Sequence, residues 1–144
     1  MVFVMKNRSL VHYSGRLAEM ANAFIAQELK SRGVEDIAPC HGDILIQLYK
    51  NDGALVTELA RRARRTKSTM SVMVDKLEKL GYVRKMRNSE DNRAIGVYLT
   101  DKGLALRPTF EAISESLNAR VFSPLSEEEA DQLEALMQRV LTNF

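Results

Sequence analysis

Apolar residues recur every three or four positions over most of the chain, which is the spacing of one face of a helix. The first such stripe begins after Ser9, a favourable N-cap residue, and stops near Gly33. Shorter stripes follow over residues 41–50, 55–63 and 67–80. The pattern therefore predicts one long helix and then three short ones, joined by turns.

The period changes to two after Gly81, over residues 82–87 and 94–100. The polar segment "NSEDN" between these two pieces favours a turn, so they predict a β-hairpin whose tip projects into water. Helical spacing then returns: we expect Asp101 to cap a helix that Pro108 kinks. The predicted fold class is mainly α with a small β-hairpin wing.

The terminal helices carry long apolar stripes that the middle of the chain does not obviously have the surface to bury. Packing of both within one chain is one interpretation. We favour a two-fold dimer, the commonest oligomer, in which residues 9–33 and 104–144 are dimerisation helices. Residues 1–144 then form a single domain in which residues 41–100 make up a separate middle lobe.

Charge is distributed unevenly along the chain. Residues 57–95 contain eleven basic and five acidic side chains, a balance of +6, whereas residues 104–144 contain three basic and seven acidic, a balance of −4. A basic middle segment is expected of a surface that meets a polyanion, although charged segments often serve only solubility.

Other classes of protein fit the sequence poorly. No apolar run is long enough to span a bilayer and no secretory signal is evident, and a lone cysteine, Cys40, suits a reducing cytoplasm. No nucleophile elbow or phosphate-binding glycine loop occurs, so we do not expect an enzyme or a cofactor. A zinc site is not expected either, because the only histidines are His12 and His41.

The order helix, tight turn, helix, charged hairpin is that of a helix-turn-helix followed by a wing. Three segments, "TELA", "KST…VDKLEKLGYV" and "EDNRA…V.LT.KG", have the spacing found in the MarR family, which this chain resembles over most of its length. The resemblance implies a homodimeric winged-helix regulator that binds double-stranded DNA at a pseudo-palindromic operator. It also implies a ligand- or stress-responsive repressor. The alternative is a winged-helix module for protein–protein assembly.

The helix over residues 67–80 has two distinct faces. At 100° per residue, Met70, Met73, Val74 and Leu77 form an apolar core stripe, and Thr66 is a good N-cap. Residues near the N-terminus of such a helix read base edges in the major groove. We therefore expect base contacts from three residues of the other face: Ser68, Ser71 and Val72.

The chain departs from the family at the turn and in this helix. Arg64 and Arg65 stand where the family commonly has Gly or Asn and then an apolar residue, and Val72 stands where it often has arginine. These differences predict salt-sensitive binding with modest base discrimination. The full set of predicted DNA-binding residues is Arg61, Arg62, Arg64, Arg65, Thr66, Lys67, Ser68, Thr69, Ser71, Val72, Lys76, Arg87, Asp91 and Arg93.

Arg93 lies at the predicted hairpin tip, and an arginine there can enter a narrow minor groove. Asp91 could hold its guanidinium through a charge-assisted pair, as the matching Asp-x-Arg of the family implies. The alternative is a pair that only stabilises the turn.

The family resemblance also implies a small aromatic or anionic effector, bound between the dimerisation helices and the DNA-binding lobe. By position, His12, Tyr13, Cys40 and His41 are the candidates to line that site. Tyr13 is equally consistent with a core residue, and a lone cysteine is commonly an inert hydrophobic one.

Overall fold

The structure is a computed structural model that describes residues 8–87, 90 and 94–144. In chain order these residues form helices α1 (Leu10–Ser31), α2 (Pro39–Lys50), α3 (Val56–Ala63) and α4 (Lys67–Lys79), strands β1 (Val83–Arg87) and β2 (Ile95–Leu99), and helices α5 (Asp101–Ala105), α6 (Arg107–Phe122) and α7 (Glu127–Leu141). The mainly helical fold with one antiparallel hairpin confirms the predicted fold class.

The core lies where α2, α3 and α4 meet the base of the hairpin, and it extends to the end of α1 and the start of α6. The predicted apolar stripe of α4 is buried there, since Met70, Met73, Val74 and Leu77 are each at most 8% exposed. The 3.6-residue period of these side chains thus explains which face of α4 turns inward and which face stays exposed.

The hairpin pairs β1 with β2 from Val83↔Leu99 to Arg87↔Ile95. The turn before α3 joins its edge, because the Gly53 N–H donates to the Val97 carbonyl and the Val97 N–H donates to the Ala54 carbonyl, both at 2.9 Å. This third segment covers Gly96, which is buried although the simple alternation of residues 94–100 places it on the outer face.

Two local predictions near α5 and α6 differ from the structure. Thr100, not Asp101, is the N-cap of α5: its Oγ1 accepts a hydrogen bond from the Gly103 N–H at 3.2 Å. Pro108 does not kink a continuous helix, because the chain breaks at Leu106 and restarts as α6 with the proline in its first turn. A proline there loses no hydrogen bond, since first-turn N–H groups have no intrahelical partner.

The last helix begins at a capping box: the Glu129 N–H donates to Ser126 Oγ and the Ser126 N–H donates to Glu129 Oε1. The helix that follows, α7, has no buried residue among the described part of the chain. Across residues 8–87, 90 and 94–144, no helix combines the length and apolar character needed to cross a membrane.

Candidate nucleic-acid interface

The turn between α3 and α4 is short and arginine-rich. Arg64 has φ 51° and ψ 45°, the left-handed conformation, and among the described residues it is the only non-glycine with positive φ. The Arg65 N–H donates to the Ala60 carbonyl at 3.0 Å and closes the turn. This geometry stops α3 at Ala63 and lets α4 start at Lys67 after three intervening residues, so the Arg64 and Arg65 side chains project from the turn into solvent.

Hydroxyl groups cluster at the N-terminus of α4. Thr66 is the N-cap, as predicted: its Oγ1 accepts from the Thr69 N–H at 3.2 Å and donates to Thr69 Oγ1 at 2.9 Å. Ser68 Oγ lies 3.2 Å from the same Thr66 oxygen. All three residues are exposed, and the uncapped N–H groups and dipole of the first turn favour an anion here.

The predicted base-contacting residues are not equally available to a partner. Val72 is 69% exposed and projects from the face opposite the buried stripe. Ser71 is half-buried and lines a small cleft with Val56, Thr57 and Ile95 at the base of the wing. Ser68 and Val72 are therefore placed to touch a ligand in front of α4, whereas Ser71 faces the protein more than the solvent.

A group of exposed cations surrounds this end of α4. We call it the cation cluster, and it consists of Arg61, Arg62, Arg64, Arg65 and Lys67. Within the part of the chain that the structure describes, none of the five forms a salt bridge. The Arg65 guanidinium does act on the Asp43 carboxylate, where it opposes the rise in pKa that burial causes. Without a salt bridge in that part, the five charges are able to pair with external anions.

The wing side of the site is described only in part. Arg87, the last residue of β1, is exposed. Asp91 and Arg93, predicted at the wing tip, lie outside the described residues. Lys76, the remaining predicted cation, is exposed on α4 one turn beyond Val72.

A residue that the sequence did not single out links the wing to α4. The Lys85 ammonium forms a salt bridge with the Asp75 carboxylate, and the Lys85 backbone N–H donates to Glu78 Oε2 at 2.8 Å. The sequence does contain a signal for it: Lys85 follows buried Val83 on the inward face of β1, and two acids spaced by three share a face of α4.

The four candidate effector residues do not share a cavity. Exposed Tyr13, which follows His12 on α1, lines a cavity of about 570 Å³ with residues of α6 and α7. Cys40 lines a different cavity of about 230 Å³ between α2, α3 and α4. The Cys40 Sγ is 3.7 Å from His41 Nδ1.

His41 is a buried histidine with a structural contact. Its Nδ1 accepts a hydrogen bond from the Ala38 N–H at 3.2 Å at the start of α2. Burial lowers the pKa of the imidazole from its usual 6.5, and the Lys76 ammonium lowers it further. Among the described residues, no group of three or more histidine, cysteine or acidic side chains could hold a metal ion.

Comparison with known proteins identifies the family to which this chain is similar. The model of the MarR family matches residues 39–95. The HTH-type transcriptional regulator SarZ of Staphylococcus haemolyticus is 31% identical over 102 residues, which are 69% of this chain and 67% of SarZ.

Solved structures agree with the family match. A complex of S. aureus MepR with DNA has a TM-score of 0.85 at 25% identity, over 93% of this chain and 97% of MepR. A variant of E. coli MarR complexed with operator DNA has a TM-score of 0.84 at 20% identity, over 98% and 99% of the two chains, and so shares the fold. The chain belongs to the MarR family of transcriptional regulators.

Proposed function

We propose that the protein is a cytoplasmic homodimer that binds double-stranded DNA in a sequence-specific way and represses transcription from a pseudo-palindromic operator. A small aromatic or anionic effector, or a stress signal, releases it from DNA. The observation that carries the proposal is the exposed N-terminal end of α4, where hydroxyl groups and the cation cluster surround a helix end that is open to solvent among the described residues.

The family assignment supports this proposal and excludes a competing class. Its members are transcriptional regulators and not enzymes, as the sequence predicts for this chain. The DNA-bound MepR structure, which matches over almost the whole chain, supports a DNA partner. We assign the DNA-binding lobe to residues 41–100 and the dimerisation helices to residues 9–33 and 104–144.

Phosphate contacts supply most of the affinity in this proposal. The cation cluster and Lys76 bind the backbone on either side of a major groove, because exposed guanidinium and ammonium groups replace condensed counterions there. Few side chains contact base edges. These are chiefly Ser68 and Val72, and Val72 contacts a thymine methyl group. The wing brings Arg87, and we propose that Asp91 and Arg93 act at its tip in the minor groove.

Exposed apolar residues at both ends of the chain support the homodimer. Tyr13 and Met20 of α1 are each 63% exposed, and Leu136 of α7 is 54% exposed. Side chains of this size and number are normally covered, and the ends of a second copy present the same surface. In a dimer, the two pairs His12–Tyr13 and Cys40–His41 belong to an effector site only if the partner chain closes the distance between them.

The direct test measures binding to duplexes selected from a random pool, at several salt concentrations. Four phosphate contacts per subunit give a dimer a log–log slope of order −7 or steeper, at about 0.9 per neutralised phosphate. Replacing Arg62 and Arg65 by Gln should make the slope shallower by about 3.6 in the dimer. The matched control replaces Lys30 and Lys50, exposed lysines at the ends of α1 and α2, and should leave it unchanged.

Three results would contradict the proposal. A slope near −2 would mean that the cation cluster does not meet DNA. Equal losses in the Arg62/Arg65 variant and in the Lys30/Lys50 variant would mean that net charge, not this site, drives binding. If the protein binds no duplex but binds another protein through α4, the result would favour the alternative of a winged-helix module for protein–protein assembly.

A further inference from the structure

The base of the wing is tied to α4 by three charged side chains that we call the clamp, namely Lys85, Asp75 and Glu78. The Lys85 ammonium pairs with the Asp75 carboxylate and lies 3.9 Å from Glu78 Oε1. The Lys85 backbone N–H, which points away from β2, donates to Glu78 Oε2 at 2.8 Å. The edge of β1 is therefore bonded to a helix side chain rather than to another strand.

The clamp lies between the two parts of the surface that would meet DNA. On one side are the cation cluster and the exposed face of α4; on the other is the hairpin that carries Arg87. A two-stranded hairpin is only marginally ordered by itself in water, so its direction is set by contacts to the rest of the domain. The segment before α3 holds the β2 edge, and the clamp holds the β1 edge. Gly81, with φ 85°, begins the short connection from α4 to β1, and such a residue alone does not fix an angle.

The charges of the clamp also have to be balanced for α4 to approach a polyanion. The Asp75 and Glu78 side chains are 48% and 39% exposed, so both carboxylates would repel phosphate if Lys85 did not neutralise them in part. The hydrogen bond to Asp75 raises the pKa of the Lys85 ammonium, which keeps the lysine charged. Lys85 is thus occupied by the protein itself.

We propose that Lys85 is a positioning residue, which holds the wing at a fixed angle to α4 so that both reach one DNA site together. This inference rests on the proposed DNA-binding function and adds that Lys85 makes no phosphate contact of its own. It assigns to Asp75 and Glu78, two acids on a helix that meets DNA, the role of holding the lysine.

The test compares two variants with opposite changes of charge, Lys85→Met and Asp75→Asn. Pure electrostatics predicts opposite effects, because the first removes a cation and the second removes an anion. Loss of a fixed wing angle predicts the same effect in both: the ratio of operator affinity to non-specific duplex affinity falls about tenfold. Lys79→Met, an exposed α4 lysine outside the clamp, should leave this ratio unchanged.

The salt dependence and a conservative replacement complete the test. Lys85→Met should keep the wild-type salt slope for the operator, and Lys85→Arg should bind the operator within about twofold of wild type. A slope shallower by about 1.8 in the Lys85→Met dimer would mean that Lys85 contacts phosphate, and would overturn the inference.

Failure of the inference can be told from failure of the proposed function. If the wild-type chain binds the operator but the ratio is unchanged in Lys85→Met and Asp75→Asn, the clamp has no positioning role. If the wild-type chain binds no duplex, both the function and the inference fall. Should one variant unfold, as a thermal melt would report, the other decides by itself, because either replacement breaks the same salt bridge.

Discussion

Arg64 occupies a left-handed backbone conformation that costs a residue with a Cβ about 1–2 kcal/mol, whereas glycine adopts it freely. Strain of this kind persists where a side chain is needed for another purpose. Arg64→Gly should therefore raise the free energy of unfolding by about 0.5–1 kcal/mol and weaken DNA binding. Its salt slope should become shallower by about 1.8 in a dimer.

Denaturant unfolding and salt titrations of the same preparation check both parts of this prediction. Arg64→Asn, which keeps a side chain tolerated in the left-handed region, separates strain from charge. A loss of stability in Arg64→Gly would show instead that the arginine side chain supports the turn.

His41 should make the fold sensitive to acid. Its folded-state pKa is below the usual 6.5, so as the pH falls below 6.5 the unfolded chain takes up a proton that the native chain resists. This contribution to the free energy of unfolding is therefore fully present above pH 6.5, where the imidazole is neutral in both states. It is lost as the pH falls towards the pKa of the folded state. Protonation also removes the Nδ1 acceptor of the Ala38 N–H.

Melting temperatures between pH 7.5 and 5.5 test this dependence. His41→Gln keeps an acceptor for the N-terminus of α2 but cannot titrate, so its melting temperature should fall less than that of the wild type. Parallel curves for the two proteins would assign the acid sensitivity to other groups.

At the scale of elements, α2 and α6 approach each other closely at Gly42. A Cβ built there would lie 2.7 Å from Cε1 of Phe110, whose ring is buried between the two helices. Gly42→Ala gains helix propensity but must displace the ring, so we expect a net loss of about 1 kcal/mol in unfolding free energy.

Gly15→Ala on α1 is the matched control for that change. Among the described residues, no atom apart from its chain neighbours and the backbone of its own helix lies within 4 Å of a Cβ built there. The change should therefore gain about 0.5–1 kcal/mol from helix propensity. If thermal or denaturant unfolding finds both variants stabilised, the contact between α2 and α6 is looser than the geometry indicates.

The elements differ in how far their sequence determines them. The buried stripe of α4 and its cap at Thr66 are predictable, because periodicity and capping depend on residues within one turn. The burial of Gly96 and the partial burial of Ser71 cannot be predicted in this way, since they depend on the segment before α3 and on β2, which pack beside them. The clamp was missed for the same reason: the pairing of Lys85 with Asp75 appears only once β1 folds back along α4.

Across the whole molecule, α7 carries apolar side chains on two faces, and both faces stay largely exposed within its own chain. Leu133, Met137 and Leu141 line the cavity shared with α1 and α6, whereas Leu136 and Val140, one turn apart, point outward and Phe144 follows them. If the proposed dimer forms through this face, Leu136→Glu should convert it to a monomer, because a buried charge would replace an apolar contact. Operator affinity should fall at least about 100-fold as the second half-site is lost.

Sedimentation equilibrium and operator binding check this at one protein concentration. Ala26→Glu adds the same charge to α1 on the side opposite Leu17, so it should leave both quantities unchanged. A Leu136→Glu protein that remains dimeric and binds normally would remove α7 from the proposed interface.

The absence of any buried residue in the described α7 helix has a consequence for gene dosage. A helix of this length is marginal in water by itself, so contacts with a second chain would stabilise it. Folding of α7 would then be coupled to dimerisation. At low copy number most chains would be monomers, so the concentration of the proposed dimer would rise with the square of the number of chains. Halving synthesis would cut operator occupancy to about one quarter, a steepness obtained without any effector.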